Sequence, residues 1–473
     1  MHHRKMPAGR ASLHRRQRHA IDRLMPFTGA PLFHALQLLA TSDSARFHMP
    51  GHKGMGGLGC EQYDITELSF SDNLYAPQGA IKQAQELIAQ AAGAYKSFML
   101  TGGSSEGVKA MLCAALREGE KLILSRNSHR SAGDGLVLSG AEPIYISPRI
   151  KEGRLAQPVF EEVRQCVLEH PEAKGIFITS PDYCGNSAPL KEIGALAREK
   201  GMLLLVDEAH GAHFPYYGFE GAAQAEADMW VQSMHKTMGA LTQAALLNIK
   251  DNRFENELWA FLPALGTSSP SYLIMASMDL ARAELEGCDR EAVLSRIQSL
   301  RFGLKEAGFR LNEGDRQDIT RLCVITAPAL SGLNGAKQLE NMGIYPECAD
   351  EYQVIFILTH KDTPEKLERL YNALLALKPE PFVPFPDMPD KLPERVISPR
   401  QAAFNRRHIY VPLEESPGKI CAQAFGTYPP GVPLADRGER IDGDMIDYIL
   451  SAAKSGRELF GVRKGRVLVC SEE

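Results

Sequence analysis

The sequence predicts an α/β fold built around a mostly parallel sheet, and three observations carry that expectation. Between about residues 80 and 250, segments of helical period alternate with short segments that are apolar throughout. Strands that are apolar at every position, rather than at every second one, belong to a sheet covered by helices on both faces. The residues with chemical potential cluster at the carboxyl ends of these strands, where open α/β sheets bind ligands.

In chain order, residues 80–95 read as a helix, followed by a brief strand at 97–100, a Gly/Ser turn and a helix at 106–117. Next come a strand at 121–124, a helix after Ser128 and a strand at 143–146. A helix at 158–169, a strand at 175–178 and a helix at 190–200 continue the alternation. The strand at 202–206 ends in Asp207, and the strand at 228–232 leads into Lys236. A long helix at 273–286 leaves the sheet. The region 289–377 mixes helices with strands at 321–326 and 353–358, and a Pro-rich stretch at 378–393 separates a C-terminal piece. The expected division is an N-terminal arm (25–75), a large domain (76–285), a small α/β domain (286–377), and a linker with a C-terminal α+β domain (378–473).

A chain of 473 residues is long enough for about three domains and for large cores without metal or disulfide staples. Its net charge of −5 gives no electrostatic reason to expect a nucleic-acid partner. No apolar run approaches the roughly 20 residues of a membrane span. The nine cysteines are scattered, with no C-x-x-C, and predict reduced thiols in a cytoplasmic protein. Residues 1–24 carry seven Lys/Arg, four His and one acid, and lack the apolar core of a secretory signal. They predict a disordered basic extension, or a start assigned upstream of Met25. An RNA-binding arm and an organelle presequence are the alternatives.

Lys236 sits in Ser233-Met234-His235-Lys236-Thr237-Met238-Gly239, directly after a buried strand. A lysine amine is a covalent catalyst toward aldehydes, and pyridoxal phosphate enzymes pair such a lysine with an acid at the pyridine nitrogen. Asp207, at the end of the preceding strand, supplies that acid. Thr101-Gly102-Gly103-Ser104-Ser105 joins a strand to a helix, and free N–H groups at a helix start with small hydroxyl side chains form an anion cradle. Read alone, that turn is equally an ordinary glycine turn with a serine cap. His129, after another strand end, is placed to cover a cofactor face and to act as acid or base; alone it is a polar loop histidine. Ser233 and His235 are further candidates for the phosphate. His210 and His213 form H-x-x-H, but a zinc site needs a third ligand, and none is evident; no metal is expected.

Three motifs are decoys. Val206-Asp207-Glu208-Ala209-His210 imitates the acidic box of a helicase-type ATPase, yet the chain has no G-x-x-x-x-G-K-[ST]; Gly418-Lys419 is followed by Ile420. The G-x-G-x-x-G at 54–59 follows no predicted strand and opens no clear helix, which argues against a dinucleotide site. Cys184, near Ser180-Pro181, reads as an incidental thiol rather than a nucleophile.

Four further strings carry a resemblance. Arg46-Phe47-His48-Met49-Pro50-Gly51-His52-Lys53-Gly54, Asp64-Ile65-Thr66-Glu67, Ser233-x-His235-Lys236-Thr237 and Thr427-Tyr428-Pro429-Pro430-Gly431-Val432-Pro433 resemble signatures of the ornithine/lysine/arginine decarboxylase family of fold-type I. The resemblance runs from about residue 46 to 440 and is to the short bacterial form, without an N-terminal receiver-like domain. It implies an aspartate-aminotransferase-like large domain and pyridoxal 5'-phosphate as cofactor. It also implies a homodimer or higher homo-oligomer with sites at the interface, where Thr267 and Ser268 reach the neighbour's phosphate. Two departures stand out. The cradle reads T-G-G-S-S-E-G, which brings Glu106 close to the phosphate, and the usual P-G-E appears as Arg437-Gly438-Glu439. The function implied is decarboxylation of arginine, lysine or ornithine to an amine and CO2, in polyamine-related metabolism. Transamination or another lyase step, and a non-catalytic relative, are the alternatives.

Overall fold

The computed structural model describes residues 29–146, 149–151, 154–383, 385–386, 388–404, 407–428 and 431–471. The expected extension at 1–24 lies outside them, as do Pro429 and Pro430.

Seven strands form the main sheet: β1 (Lys96–Leu100), β2 (Lys121–Ser125), β3 (Glu142–Ile146), β4 (Gly175–Thr179), β5 (Leu203–Asp207), β6 (Met229–Gln232) and β7 (Ala245–Ile249), in the order β1-β7-β6-β5-β4-β2-β3. The run β3-β2-β4-β5-β6 is parallel. Successive residues of one strand enter opposite cores. Leu203 and Leu205 pack with Leu112 and Leu136 on one face, and Leu204 and Val206 pack with Ile193 and Val163 on the other. Burial of both faces is why these strands are continuously apolar.

The structure adds β7 to the strands read from sequence, and β7 runs antiparallel to both β6 and β1. Between β6 and β7 the chain makes only the one-turn helix Met234–Thr237, too short for a crossover, so it must double back. The helix expected at 106–117 spans Ser104–Ala115. Gly103 opens it at positive φ, and Leu116 is already extended, which shifts both ends by two residues. Asp207 is the last residue of β5 rather than the residue beyond it.

A second, antiparallel sheet has the order β8 (Arg310–Leu311), β9 (Arg321–Ile325), β11 (Gln353–Ile357), β10 (Cys348–Ala349). Leu322, Val324, Val354 and Phe356 pack on helices Arg290–Glu306, Gly332–Asn341 and Pro364–Leu375 through Leu300, Leu304, Leu339 and Leu374. The C-terminal region adds β12 (His408–Pro412), β13 (Gly426–Tyr428), β14 (Glu458–Phe460), β15 (Val462–Arg463), β16 (Arg466–Cys470) and helix Gly443–Ser455 around Phe425, Ile449 and Val467. It docks on the main sheet through a buried cluster. Arg126, after β2, donates to both oxygens of Glu439 at 2.9 and 3.0 Å and to the Leu434 carbonyl at 2.8 Å, and its guanidinium lies over Tyr145. Arg395 donates to the same carboxylate at 2.9 Å. Among the described residues no helix is long and apolar enough to cross a membrane.

Candidate active site

Adjacent parallel strands deliver their ends to one edge. β5 pairs with β6 so that Asp207 stands opposite Val231, and the chain leaving β6 turns at once into the Met234–Thr237 helix that carries Lys236. Lys236 is thus on a helical turn beyond the strand. A cavity of about 390 Å³ opens there, lined by Lys236, Asp207, His129, His210, His235 and the start of helix Ser104–Ala115.

The Lys236 amine lies 3.1 Å from His210 Nε2. Burial holds the amine below its ordinary value and Arg321 adds to this, against the pull of Asp207. Burial raises the Asp207 carboxyl, with Lys236 opposing; one of its oxygens accepts from the Ala209 N–H at 3.1 Å. Both groups move toward neutrality, because burial outweighs their mutual attraction. His129 caps helix Arg130–Ser139, with Nδ1 accepting from the Ser131 N–H, and burial, Lys236 and Arg130 push it down to about 4. Gly431 lies beside its ring: a Cβ there would stand 3.5 Å from His129 Cδ2 and 3.7 Å from Nε2. His235 Nδ1 donates to the Ala244 carbonyl at 2.9 Å, and burial lowers it.

The structure divides the expected cradle. Gly103, Ser104 and Ser105 line the cavity, while Thr101 and Gly102 lie behind it. Gly103 has no side chain to cap the helix, so the Ser104 and Ser105 N–H groups have no partner among the described residues, as an anion site requires, while the Gly103 N–H donates to the Gln243 carbonyl at 3.0 Å. The Gly102 N–H is taken by Glu106 Oε2 at 2.8 Å. Glu106 does not line the cavity, and burial raises its carboxyl, which relieves the clash with a phosphate that the sequence suggested. Ser233 is fully buried beneath the site, with its hydroxyl unpartnered. Thr267 and Ser268 are exposed and outside this cavity; the Thr267 carbonyl accepts from Tyr75. His213 turns away from His210 and bonds Asp318 and Thr320, both at 3.1 Å.

Three contributors escaped the sequence reading because they arrive from distant segments. Tyr183, after β4, meets the His210 ring edge-on at 4.8 Å and donates to Glu347, which lies just before β10. Arg321, the first residue of β9, reaches His210 from the second sheet. The acidic run Glu347-Cys348-Ala349-Asp350-Glu351 ahead of a strand was the available signal. Of its three carboxylates, Glu351 is paired with Arg457 and Asp350 accepts from the Tyr352 and Gln353 N–H groups. Glu347, on the cavity wall, has no ion pair among the described residues.

A mostly parallel sheet that presents a lysine and an aspartate at neighbouring strand ends, closed over by a smaller sheet, defines a fold-type I α/β protein. Solved structures agree. The Francisella novicida lysine decarboxylase LdcF aligns with a TM-score of 0.79 at 20% identity over 97% of this chain and 83% of its own, and an SPT solved with PLP aligns at 0.51 and 20% over 63% and 75%. The chain belongs to the Orn/Lys/Arg decarboxylase family. Residues 30–328 match its major domain and residues 385–465 its C-terminal domain. An arginine decarboxylase of Bacillus subtilis (strain 168) is 33% identical over 466 residues, covering 91% of this chain and 95% of the relative.

Proposed function

We propose that the protein is a pyridoxal phosphate-dependent decarboxylase that converts a basic amino acid to its amine and CO2, in polyamine-related metabolism. The convergence of Lys236, Asp207 and His129 on one cavity that also holds the unpaired carboxylate of Glu347 carries this reading. Similarity to an arginine decarboxylase and a lysine decarboxylase supports it.

The residues present fit the cofactor. The free N–H groups of Ser104 and Ser105, with His235, would hold its phosphate, and the Ser233 hydroxyl, without a partner among the described residues, lies beneath. Asp207, an acid with no cationic partner but Lys236, would hold a proton on the ring nitrogen, and His129 would cover a ring face. When bound, pyridoxal phosphate supplies an electron-accepting ring conjugated to the substrate α-carbon. Lys236, whose amine burial holds below its ordinary value, would be the nucleophile toward the cofactor aldehyde. His129, pushed down to about 4, is neutral at neutral pH, and the Lys236 amine, once it has taken the proton brought by the incoming substrate ammonium, would return a proton to the α-carbon. Glu347 would bind the distal cation of the substrate. Thr267 and Ser268 would serve the neighbouring site in a homodimer.

The test offers arginine, lysine, ornithine and aspartate to the purified chain loaded with pyridoxal phosphate, and follows CO2, amine and keto acid. CO2 with amine from a basic amino acid is expected, and Lys236→Ala abolishes both turnover and the visible absorbance of bound cofactor while leaving the fold intact. Keto acid in place of CO2, or a chain that never takes up cofactor, overturns the proposal.

A further inference from the structure

Arg321 is the first residue of β9, in the smaller sheet, yet its guanidinium is almost fully buried against the main sheet's site, with Nη2 2.7 Å from His210 Nδ1. Its seat is built. The Arg321 N–H donates to the Asp318 carbonyl at 3.2 Å, and Asp318 is held by Thr320 and by His213. Gly185, at φ +86°, leaves the room: a Cβ there would stand 2.7 Å from Arg321 Cβ and Cγ. Burial costs this guanidinium heavily, and its Nε finds no partner among the described residues. A stabilising role alone does not account for such a placement.

A guanidinium has donors and no acceptor. His210 Nδ1 therefore accepts, which places the ring proton of a neutral imidazole on Nε2. Burial, Lys236 and Arg321 all disfavour the doubly protonated ring. Nε2–H then donates along the 3.1 Å contact to Lys236 Nζ, and only a neutral amine has a lone pair to accept it. The reverse arrangement, an ammonium donating to Nε2, would put the proton on Nδ1 facing the Arg321 donor.

We propose that Arg321 is a positioning residue that acts through His210 to favour the neutral amine of Lys236, so that seating the smaller sheet on the larger makes the lysine more nucleophilic. This rests on Lys236 being the cofactor-binding nucleophile. The other groups that face Lys236 are Asp207 at the end of β5, His129 after β2, Glu347 before β10 and its neighbour His235. Of these Asp207 and Glu347 favour the ammonium, so the relay works against them.

The test uses the full-length chain freed of cofactor. Reductive methylation with formaldehyde and cyanoborohydride, mapped by mass spectrometry across pH, reads the midpoint at which Lys236 becomes a free amine. Arg321→Gln, whose side chain can also accept, should move that midpoint up by about one pH unit; Arg321→Lys, still an obligate donor, should restore most of it. In a His210→Asn background Arg321→Gln should move the midpoint by clearly less, leaving only the direct effect of the guanidinium charge on the amine. An unchanged midpoint, or a shift of the same size without His210, overturns the proposal. Nitrogen-15 spectra of histidine-labelled wild-type chain decide the matter without variants: His210 must show a bare Nδ1 and a protonated Nε2, and the opposite pattern rejects the relay. Failure to bind pyridoxal phosphate with this pattern intact would reject the proposed function and leave the relay standing.

Discussion

Lys236, Asp207 and His129 share one cavity, and each was legible because its signal is local: a polar residue directly after an apolar strand, in a sheet whose strand ends bind ligands. Glu347 carries no such signal. It matters through the company it keeps, as the carboxylate on the cavity wall without a cationic partner among the described residues. Glu347→Gln keeps the acceptor for Tyr183 and removes the charge. A charged hydrogen bond contributes about 1.5–3 kcal/mol, so kcat/KM for the preferred basic amino acid should fall roughly 10- to 100-fold. Steady-state kinetics on the variant check this; an unaltered kcat/KM would assign the distal cation to another group. Arg321 was illegible for the same reason as Glu347. A buried arginine at the head of a strand reads as a strand boundary until the other sheet is laid against it.

Among the elements, helix Ser104–Ala115 and the single turn Met234–Thr237 set the geometry. The sequence reading began the cradle helix two residues late, at Glu106, and did not show that Gly103, which caps its start, adopts φ 79° and ψ 174°, a region essentially restricted to glycine. Gly103→Ala should therefore cost about 1–3 kcal/mol of stability and weaken pyridoxal phosphate binding, read by urea unfolding and by cofactor titration. An alanine variant that is as stable and binds as tightly would show that the cradle tolerates a Cβ. β7 was missed for a complementary reason. Its run of alanine, leucine and isoleucine suits several structures, and the shortness of the Met234–Thr237 connection, which forces the antiparallel return, is a property of topology rather than of any residue.

The whole molecule is tied together by Arg126, Arg395 and Glu439. The sequence registered Arg437-Gly438-Glu439 only as a departure from a family string; the structure shows the acid of that string receiving two guanidinium groups in a buried interface. Removing one partner of a buried ion pair strands the other, so Glu439→Ala should destabilise the protein by about 3–5 kcal/mol, measured as a lowered urea midpoint, and should loosen the seat of Gly431 against His129. A midpoint equal to that of the parent chain would place the docking energy elsewhere. The Arg126–Glu439 contact also has a temporal side, because its partners lie 313 residues apart in the chain. At a synthesis rate of roughly 5–20 residues per second, a ribosome needs about 15–60 s to deliver the second after the first. For about 10–40 s of that interval, from the completion of β7 at Ile249 to Glu439, the main sheet stands without the acid that pairs with its arginine and without the wall that closes its cavity.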